Sequence, residues 1–353
     1  MRIENISFDN DGIARVEVHS DSGNRYIVCI DGETLKAWCD CPRNVYKKEQ
    51  CKHIKFVLEN VNLSGLKRRN NMEVLKSGCE TIDKLLGGGF PYGMVVSVTA
   101  EPNIGKTKLG LQLAVANIKK TGKHSIIIET EGEAFEDHLV LMKKFATRFG
   151  LSEQDLVKHI KYYQTIGDTR EYGIQKLMKL LGYELKLNMS KGGKFTTDFA
   201  QAKLGIDENV LKNSSFMLID SITTPIKESV GSETQNLPAR ASIVQRLYGR
   251  LYQLAKTYNL LIVVNHHTSV NPVMPFGRDL GKIYGGQPVL YNSKYAIQLI
   301  SSTNELRKKY YQGFETEARR VRLIRHPYIV ADGKMYNIRL KKDYGFCDLN
   351  QNV

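Results

Sequence analysis

The stretch Thr99-Ala100-Glu101-Pro102-Asn103-Ile104-Gly105-Lys106-Thr107 decides the fold of this chain. The apolar run Val95-Val96-Ser97-Val98 leads into it, and Leu109, Leu113, Ala116 and Lys120 follow at helical spacing until Gly122. That order predicts a strand over 95–100, a tight loop, and a helix over 106–120. A loop placed between a strand and a helix N-terminus gathers backbone N–H groups that point one way, and the helix dipole favours an anion there. Glu101, Pro102, Asn103, Ile104, Gly105, Lys106, Thr107 and Lys108 are therefore the expected cradle for the phosphates of ATP. Lys106 is expected to reach the β- and γ-phosphates, and the Thr107 hydroxyl to hold Mg²⁺. Ala100 stands where such loops usually begin with glycine, and its methyl group is small enough for the position.

Working outward, further strands are expected at 125–130, 160–164, 215–220 and 260–265, with helices at 135–148, 170–181 and 238–258. Most of the strands are unbroken apolar runs, which is the pattern of a parallel sheet covered on both faces. Runs at 295–300, 319–325 and 335–341 read as a closing antiparallel portion. The fold class is α/β with a mostly parallel sheet, whose chemistry belongs at the strand ends. Ser215-Phe216-Met217-Leu218-Ile219-Asp220 ends in a carboxylate suited to hold Mg²⁺ through water. Ile126-Ile127-Ile128-Glu129-Thr130-Glu131 ends in two acids, either of which can polarise an attacking water. Val263-Val264-Asn265-His266 ends in polar groups placed to sense a γ-phosphate.

These stretches together resemble the RecA superfamily, and among it the archaeal RadA and RadB-type recombinases. Leu75 to Gly89, ending Leu85-Leu86-Gly87-Gly88-Gly89, is similar to the segment those proteins carry before the phosphate loop. Glu129-Thr130-Glu131-Gly132 is similar to the family's Asp-Thr-Glu-Gly, which implies Glu131 as the catalytic, water-activating residue alongside Lys106. Asn265-His266 stands where many relatives have Asn-Gln, and Asn236-Leu237-Pro238-Ala239-Arg240 resembles the end of the first DNA-binding loop. The resemblance covers about residues 72–343. It implies DNA contacts near 229–240 and 269–285, with Arg240, Arg278 and Lys282 as candidates, single-stranded DNA as the favoured form, and ATP hydrolysis at a subunit interface of a homo-oligomer. The KaiC-like ATPases also open on a Leu-Leu-Gly-Gly-Gly segment, so a signalling ATPase without DNA affinity is one alternative, and an ATP-binding scaffold that recruits partners through its N-terminal part is another; the recombinase branch ranks first because of Asn236 to Arg240. The family's Phe-x-x-Ala polymerisation motif has no counterpart between 60 and 78, and its one match, Phe199-Ala200-Gln201-Ala202, lies in an extra basic segment at about 184–214.

Ahead of the core, Cys39-Asp40-Cys41 and Cys51-Lys52-His53 are separated by nine residues. Three thiolates and one imidazole suit tetrahedral Zn²⁺. Strand-like runs at 14–18, 25–29 and 35–38 precede them, and Ile54, Val57, Leu58 and Val61 follow at helical spacing. The piece reads as a small ββα module at 1–63, joined by a basic linker at 64–73 to the core at 74–353. It resembles the SWIM zinc finger, which implies DNA or a recombination or repair protein as its partner. Cys29, Cys79 and Cys347 lie outside the ligand pattern and read as reduced, packed thiols.

Composition agrees with a nucleic-acid partner. The formal net charge is +14, and residues 301–343 carry eleven Lys or Arg against five Asp or Glu. Residues 1–63 are nearly neutral, with nine basic and ten acidic side chains, so the module's own partner stays open between DNA and protein. No apolar run approaches the ~20 residues of a membrane span. The N-terminus lacks a signal-peptide core. The expectation is a cytoplasmic protein without membrane contact.

Overall fold

The computed structural model describes residues 1–8, 13–31, 36–47, 50–61, 73–166, 171–231, 233–269, 282–283, 292–304, 306 and 315–350. In the N-terminal part, strands β1 (Arg2–Phe8), β2 (Ile13–His19), β3 (Arg25–Asp31) and β4 (Ala37–Cys39) form an antiparallel sheet in that order. Helices α1 (Pro42–Lys47) and α2 (Lys52–Asn60) follow. The alternation of β2 sends Ala14, Val16 and Val18 inward against Ile54 and Val57 of α2. β1 and α1 extend the strands and helix expected from the sequence.

The core begins with β5 (Val74–Leu75), α3 (Glu80–Leu85) and β6 (Phe90–Pro91). It continues through β7 (Val95–Ala100), α4 (Lys106–Thr121), β8 (His124–Glu129), α5 (Phe135–Phe149), α6 (Glu153–His159) and β9 (Ile160–Gln164). Then come α7 (Gly173–Leu180), β10 (Tyr183–Met189), β11 (Phe195–Gln201), α8 (Glu208–Lys212), β12 (Ser214–Asp220), α9 (Thr223–Val230) and α10 (Leu237–Tyr258). The chain closes with β13 (Leu261–Ser269), β14 (Lys282–Ile283), β15 (Tyr295–Ser301), β16 (Ala318–Arg325), β17 (Tyr336–Lys341) and β18 (Gly345–Asp348).

The main sheet runs β18-β17-β16-β15-β7-β13-β12-β8-β9, with β14 paired to β13. The pairs from β15 across to β9 are parallel, and those from β15 out to β18 are antiparallel. The run at 295–300 was expected in the antiparallel portion; it is instead the pivot, parallel to β7 and antiparallel to β16.

Strand alternation divides the core between two faces. Val96, Val98, Ile127, Leu218 and Val263 pack with α4 and α5 on one side. Val95, Ile126, Ile128, Ile219 and Val264 pack with α7, α9 and α10 on the other. Helix α4 lies unusually close to β12, because a Cβ at Gly110 would sit 2.6 Å from Leu218 Cδ1. The hairpin β10–β11, inserted before β12, forms its own two-stranded sheet. It packs Leu185, Leu187, Phe195 and Phe199 into the second cluster, and the Arg246 guanidinium of α10 lies 5.3 Å from the Phe199 ring.

Gln112 of α4 ties the two ends of the core together. Its Nε2 donates to the carbonyls of Ser77 (2.6 Å) and Phe346 (3.1 Å), and its Oε1 accepts from the Phe346 N–H at 2.7 Å. All of this is buried. Gln112→Leu keeps the volume and orphans the Ser77 carbonyl and the Phe346 N–H, while Arg148 Nη1 still serves the Phe346 carbonyl at 2.8 Å, so a loss of about 2 kcal/mol or more is expected. Urea unfolding of the variant reads it directly, and an unchanged midpoint would show that β18 is not held this way.

Candidate nucleotide site and zinc-ligand cluster

The loop after β7 turns through two left-handed residues, Asn103 (φ 63°) and Gly105 (φ 117°), before α4 begins at Lys106. Gly105 is required twice over. Its φ disfavours a side chain, and a Cβ there would lie 2.7 Å from Leu340 Cδ2. Ala100 is fully buried as the last residue of β7. Glu101, Pro102 and Asn103 are exposed, Ile104 is buried, and Thr107 and Lys108 are half-buried. The Ile104 carbonyl accepts from Arg319 Nε at 3.1 Å, tying β16 to the loop.

Lys106 is only 5% exposed, and its ammonium donates to the carbonyls of Ala100 (3.2 Å) and Glu101 (3.1 Å). Burial lowers its pKa, while Asp220 and Glu131 pull it back up. At 3.3 Å from Nζ lies Nδ1 of His267, whose Nε2 is 2.6 Å from Glu131 Oε1. A neutral imidazole that accepts at Nδ1 and donates from Nε2 satisfies both contacts. Glu131 also accepts from Ser221 Oγ (2.6 Å) and Thr224 Oγ1 (3.0 Å). Burial would raise its carboxyl, but the donors His267, Ser221 and Thr224 outweigh that and hold it down to about 2.

Glu129 has a different place. It is buried at the end of β8 and its carboxylate accepts the Glu131 backbone N–H, so it holds the turn on which Glu131 sits. Burial raises its pKa. The same turn is clamped from outside: His138 Nε2 contacts Glu133 Oε2 at 2.5 Å, and Gln164 Nε2 donates to the Glu133 carbonyl at 2.9 Å. Asp220 closes the site from β12. Burial raises its pKa, with the Thr107 hydroxyl, the Asn265 amide and the Lys106 ammonium working the other way.

In the N-terminal part, the ligand atoms of Cys39, Cys41, Cys51 and His53 all lie within 4.8 Å of one another, and all four residues are buried. Cys39 Sγ is 3.8 Å from His53 Nδ1. Tetrahedral zinc, with metal–sulfur bonds of ~2.3 Å and metal–nitrogen bonds of ~2.0 Å, needs ligand atoms about 3.5–3.8 Å apart. Backbone N–H groups of Cys41 and Ile54 point at the sulfurs of Cys39 and Cys51, each at 3.4 Å, which stabilises thiolates. The Tyr26 ring stacks on His53 at 4.4 Å and fixes its plane. The donor set fits the metal. Cys29, Cys79 and Cys347 are buried free thiols.

Two family models match this chain: the KaiC ATPase over residues 75–268, and the SWIM zinc finger over residues 26–62. The chain belongs to the KaiC family of RecA-superfamily ATPases. It is also similar to proteins named for recombination. One is the meiotic recombination protein DMC1/LIM15 homolog of Mus musculus, at 26% identity over 68% of this chain and 64% of that protein. A second is DNA repair and recombination protein RadB of Methanococcoides burtonii, at 24% identity over 64% of this chain and 83% of that protein. A third is RadA of Metallosphaera sedula, at 23% identity over 68% and 66%. The chain thus spans just under two thirds of the mouse protein. A crystal structure of the RadB recombinase shares the fold, with a TM-score of 0.53 at 20% identity over 78% of this chain and 99% of that one. The resemblance read from the sequence is borne out, and the KaiC-like branch ranked second there supplies the matching family model.

Within this ATPase core, several expected site residues sit elsewhere than foreseen. His266 is fully buried and bonded through Nε2 to Tyr248 OH at 2.7 Å; burial pushes its pKa down to about 3. It faces α10, away from the phosphate loop. His267, one residue on, faces Lys106, because successive strand residues point to opposite faces. The alternation Val263, Asn265, His267 was visible in the sequence and was the signal that could have found it. Arg240 is buried at 6% exposure and donates to the Glu233 carbonyl at 3.1 Å, so it braces its loop and presents no cation to DNA. Lys282 pairs with Ser269 across β14 and β13. Arg278 lies outside the described residues.

The Glu131 carboxyl therefore titrates below its usual 4.5. Its contribution to stability is present above about pH 4.5 and is lost as pH falls toward 2. His267→Ala removes one of three donors and should raise the Glu131 pKa by roughly a unit or more. Side-chain carbon NMR across that pH range reads it, and an unmoved titration would separate the two groups.

Proposed function

We propose that this chain is an ATP-dependent, DNA-binding recombinase paralogue that assists recombination or DNA repair and hydrolyses ATP slowly at a subunit interface. The observation that carries this reading is the convergence of Lys106 and Thr107 after β7, Asp220 at the end of β12 and Glu131 after β8 on one end of the sheet. The recombinase names of the similar proteins support the DNA partner, as does the charge of +14.

The residues fit the chemistry. Backbone N–H groups from Gly105 to Lys108 take the phosphates, and Lys106 exchanges its carbonyl partners for phosphate oxygens. Thr107, and Asp220 through water, would hold Mg²⁺, which would supply charge neutralisation for the phosphates. Glu131 polarises the attacking water. A carboxylate held near pKa 2 by three donors is a weak base, so release of the His267 bond raises its basicity. When Lys106 turns to the phosphates, His267 loses its second anchor and is free to let go. β13 continues toward residues 269–285, so this exchange would carry nucleotide state to the second DNA loop, where Arg278 and Lys282 are the proposed contacts.

Residues 1–63 form a separate zinc-stabilised unit in this reading, joined to the core by the basic segment 64–73. It meets DNA or a recombination partner. The KaiC family match favours one competing reading, a signalling ATPase without DNA affinity.

Glu131→Gln should bind ATP as the wild type does and lose hydrolysis by ~100-fold or more. Equal turnover would remove Glu131 from the mechanism. The DNA partner is tested separately with a labelled oligothymidylate. A footprint of about 3–5 phosphates gives a log–log salt slope of roughly −2 to −4. No affinity at low salt, with or without ATP, would leave the signalling reading in its place.

A further inference from the structure

We propose that the tip of the inserted hairpin β10–β11 is a nucleic-acid contact that extends the first DNA-binding loop. The proposal rests on the DNA-binding reading above. The tip reads Met189-Ser190-Lys191-Gly192-Gly193-Lys194-Phe195, with two lysines and no acid. Further down the hairpin the charges offset one another, since Lys186 lies opposite Asp198 in register. The unbalanced positive charge is confined to the end.

The tip is built. The Ser190 N–H donates to the Lys194 carbonyl and the Gly193 N–H to the Ser190 carbonyl, both at 2.9 Å, and the Lys194 N–H reaches Ser190 Oγ at 3.2 Å. Lys191 and Lys194 are exposed, and neither ammonium pairs with a carboxylate among the described residues. Its place is fixed by the turn 234–236 that precedes α10. The Phe195 N–H donates to Asn236 Oδ1 at 3.0 Å, and Gln235 Nε2 reaches the Gly192 carbonyl at 3.4 Å. Asn236 is itself 1% exposed, so this junction is part of the packed protein.

The hairpin therefore stands against the segment 229–240, and its lysines replace the cation that the buried Arg240 does not supply. Two large apolar side chains flank the same junction: Met189, 66% exposed and opposite Phe195, and Leu237, 49% exposed and next to Asn236. Cations with neighbouring apolar surface suit a single strand, where phosphates take the charge and unstacked bases take the apolar contact.

The test uses the full-length protein and a labelled oligothymidylate titrated against salt. Lys191→Ala with Lys194→Ala should flatten the log–log slope by about 1.4, at ~0.7 per phosphate on a single strand. Met189→Ser should weaken binding a few-fold at every salt concentration with the slope unchanged. Thermal unfolding and ATP binding of both variants should match the wild type, since neither substitution touches the bonds that build the tip. A wild-type slope in the double variant overturns the proposal while leaving the DNA-binding reading standing. Wild-type protein that binds no DNA overturns both. A double variant that keeps the slope but changes sedimentation would show that the tip meets a second copy of the chain instead, which also overturns it.

Discussion

A lysine ammonium buried at a helix N-terminus is the constraint around which this structure is arranged. Lys106 sits in a place prepared for anions, and a buried charge without partners is costly. Two carbonyls of its own loop, the His267 imidazole and the carboxylates of Asp220 and Glu131 surround it. These groups come from β7, β13, β12 and β8, which are consecutive in the sheet. Neighbouring strands are ~4.8 Å apart, so a residue at the end of β8 is too far away to take part directly. The turn after β8 solves this by folding back over β12. Glu131 then lies beside Ser221 and Thr224, which follow β12, and within reach of His267 on β13. Glu129 is spent on holding that turn.

The parallel core was legible because its strands are buried on both faces. Val95 to Ala100 and the helix from Lys106 have bounds that a hydrophobic run and the flanking Gly93, Gly105 and Gly122 define. What the sequence left ambiguous was side-chain direction. Asn265-His266 reads as a pair at a strand end, yet a strand cannot aim both residues at one site. His266 joins Ser97, Tyr248 and Ser293 in a buried polar network under α10. His267 faces the phosphate loop. Arg240 misled for a related reason. The sequence places it at the start of a helix beside a loop, but the burial of that turn draws its guanidinium inward.

The replacement of the loop's first glycine by Ala100 is also explained by position. Ala100 still belongs to β7, its methyl group packs in the core cluster, and its carbonyl is one of the acceptors that hold Lys106. The tight part of the turn comes later, at Asn103 and Gly105. There the antiparallel strands press on the loop, through Leu340 and Phe346 against Gly105 and through Arg319 on the Ile104 carbonyl. The C-terminal strands thus shape the phosphate loop as well as closing the sheet.

The inserted segment at 184–214 shows how charge and fold carry separate messages. It reads as an extra basic segment, and within it Leu185, Leu187, Phe195, Thr197 and Phe199 recur with a period of two, which is the signature of a half-buried hairpin. Phe199, the first residue of the Phe-x-x-Ala match, packs against α10 under Arg246. Phe199 is partly buried in that contact, so its ring already serves the packing of the hairpin on α10. The same packing gives the hairpin its direction. Its apolar face is committed to α10, so the turn 190–194 projects beside 234–236. A glycine-rich basic tip beside a candidate DNA loop is a consequence of that commitment.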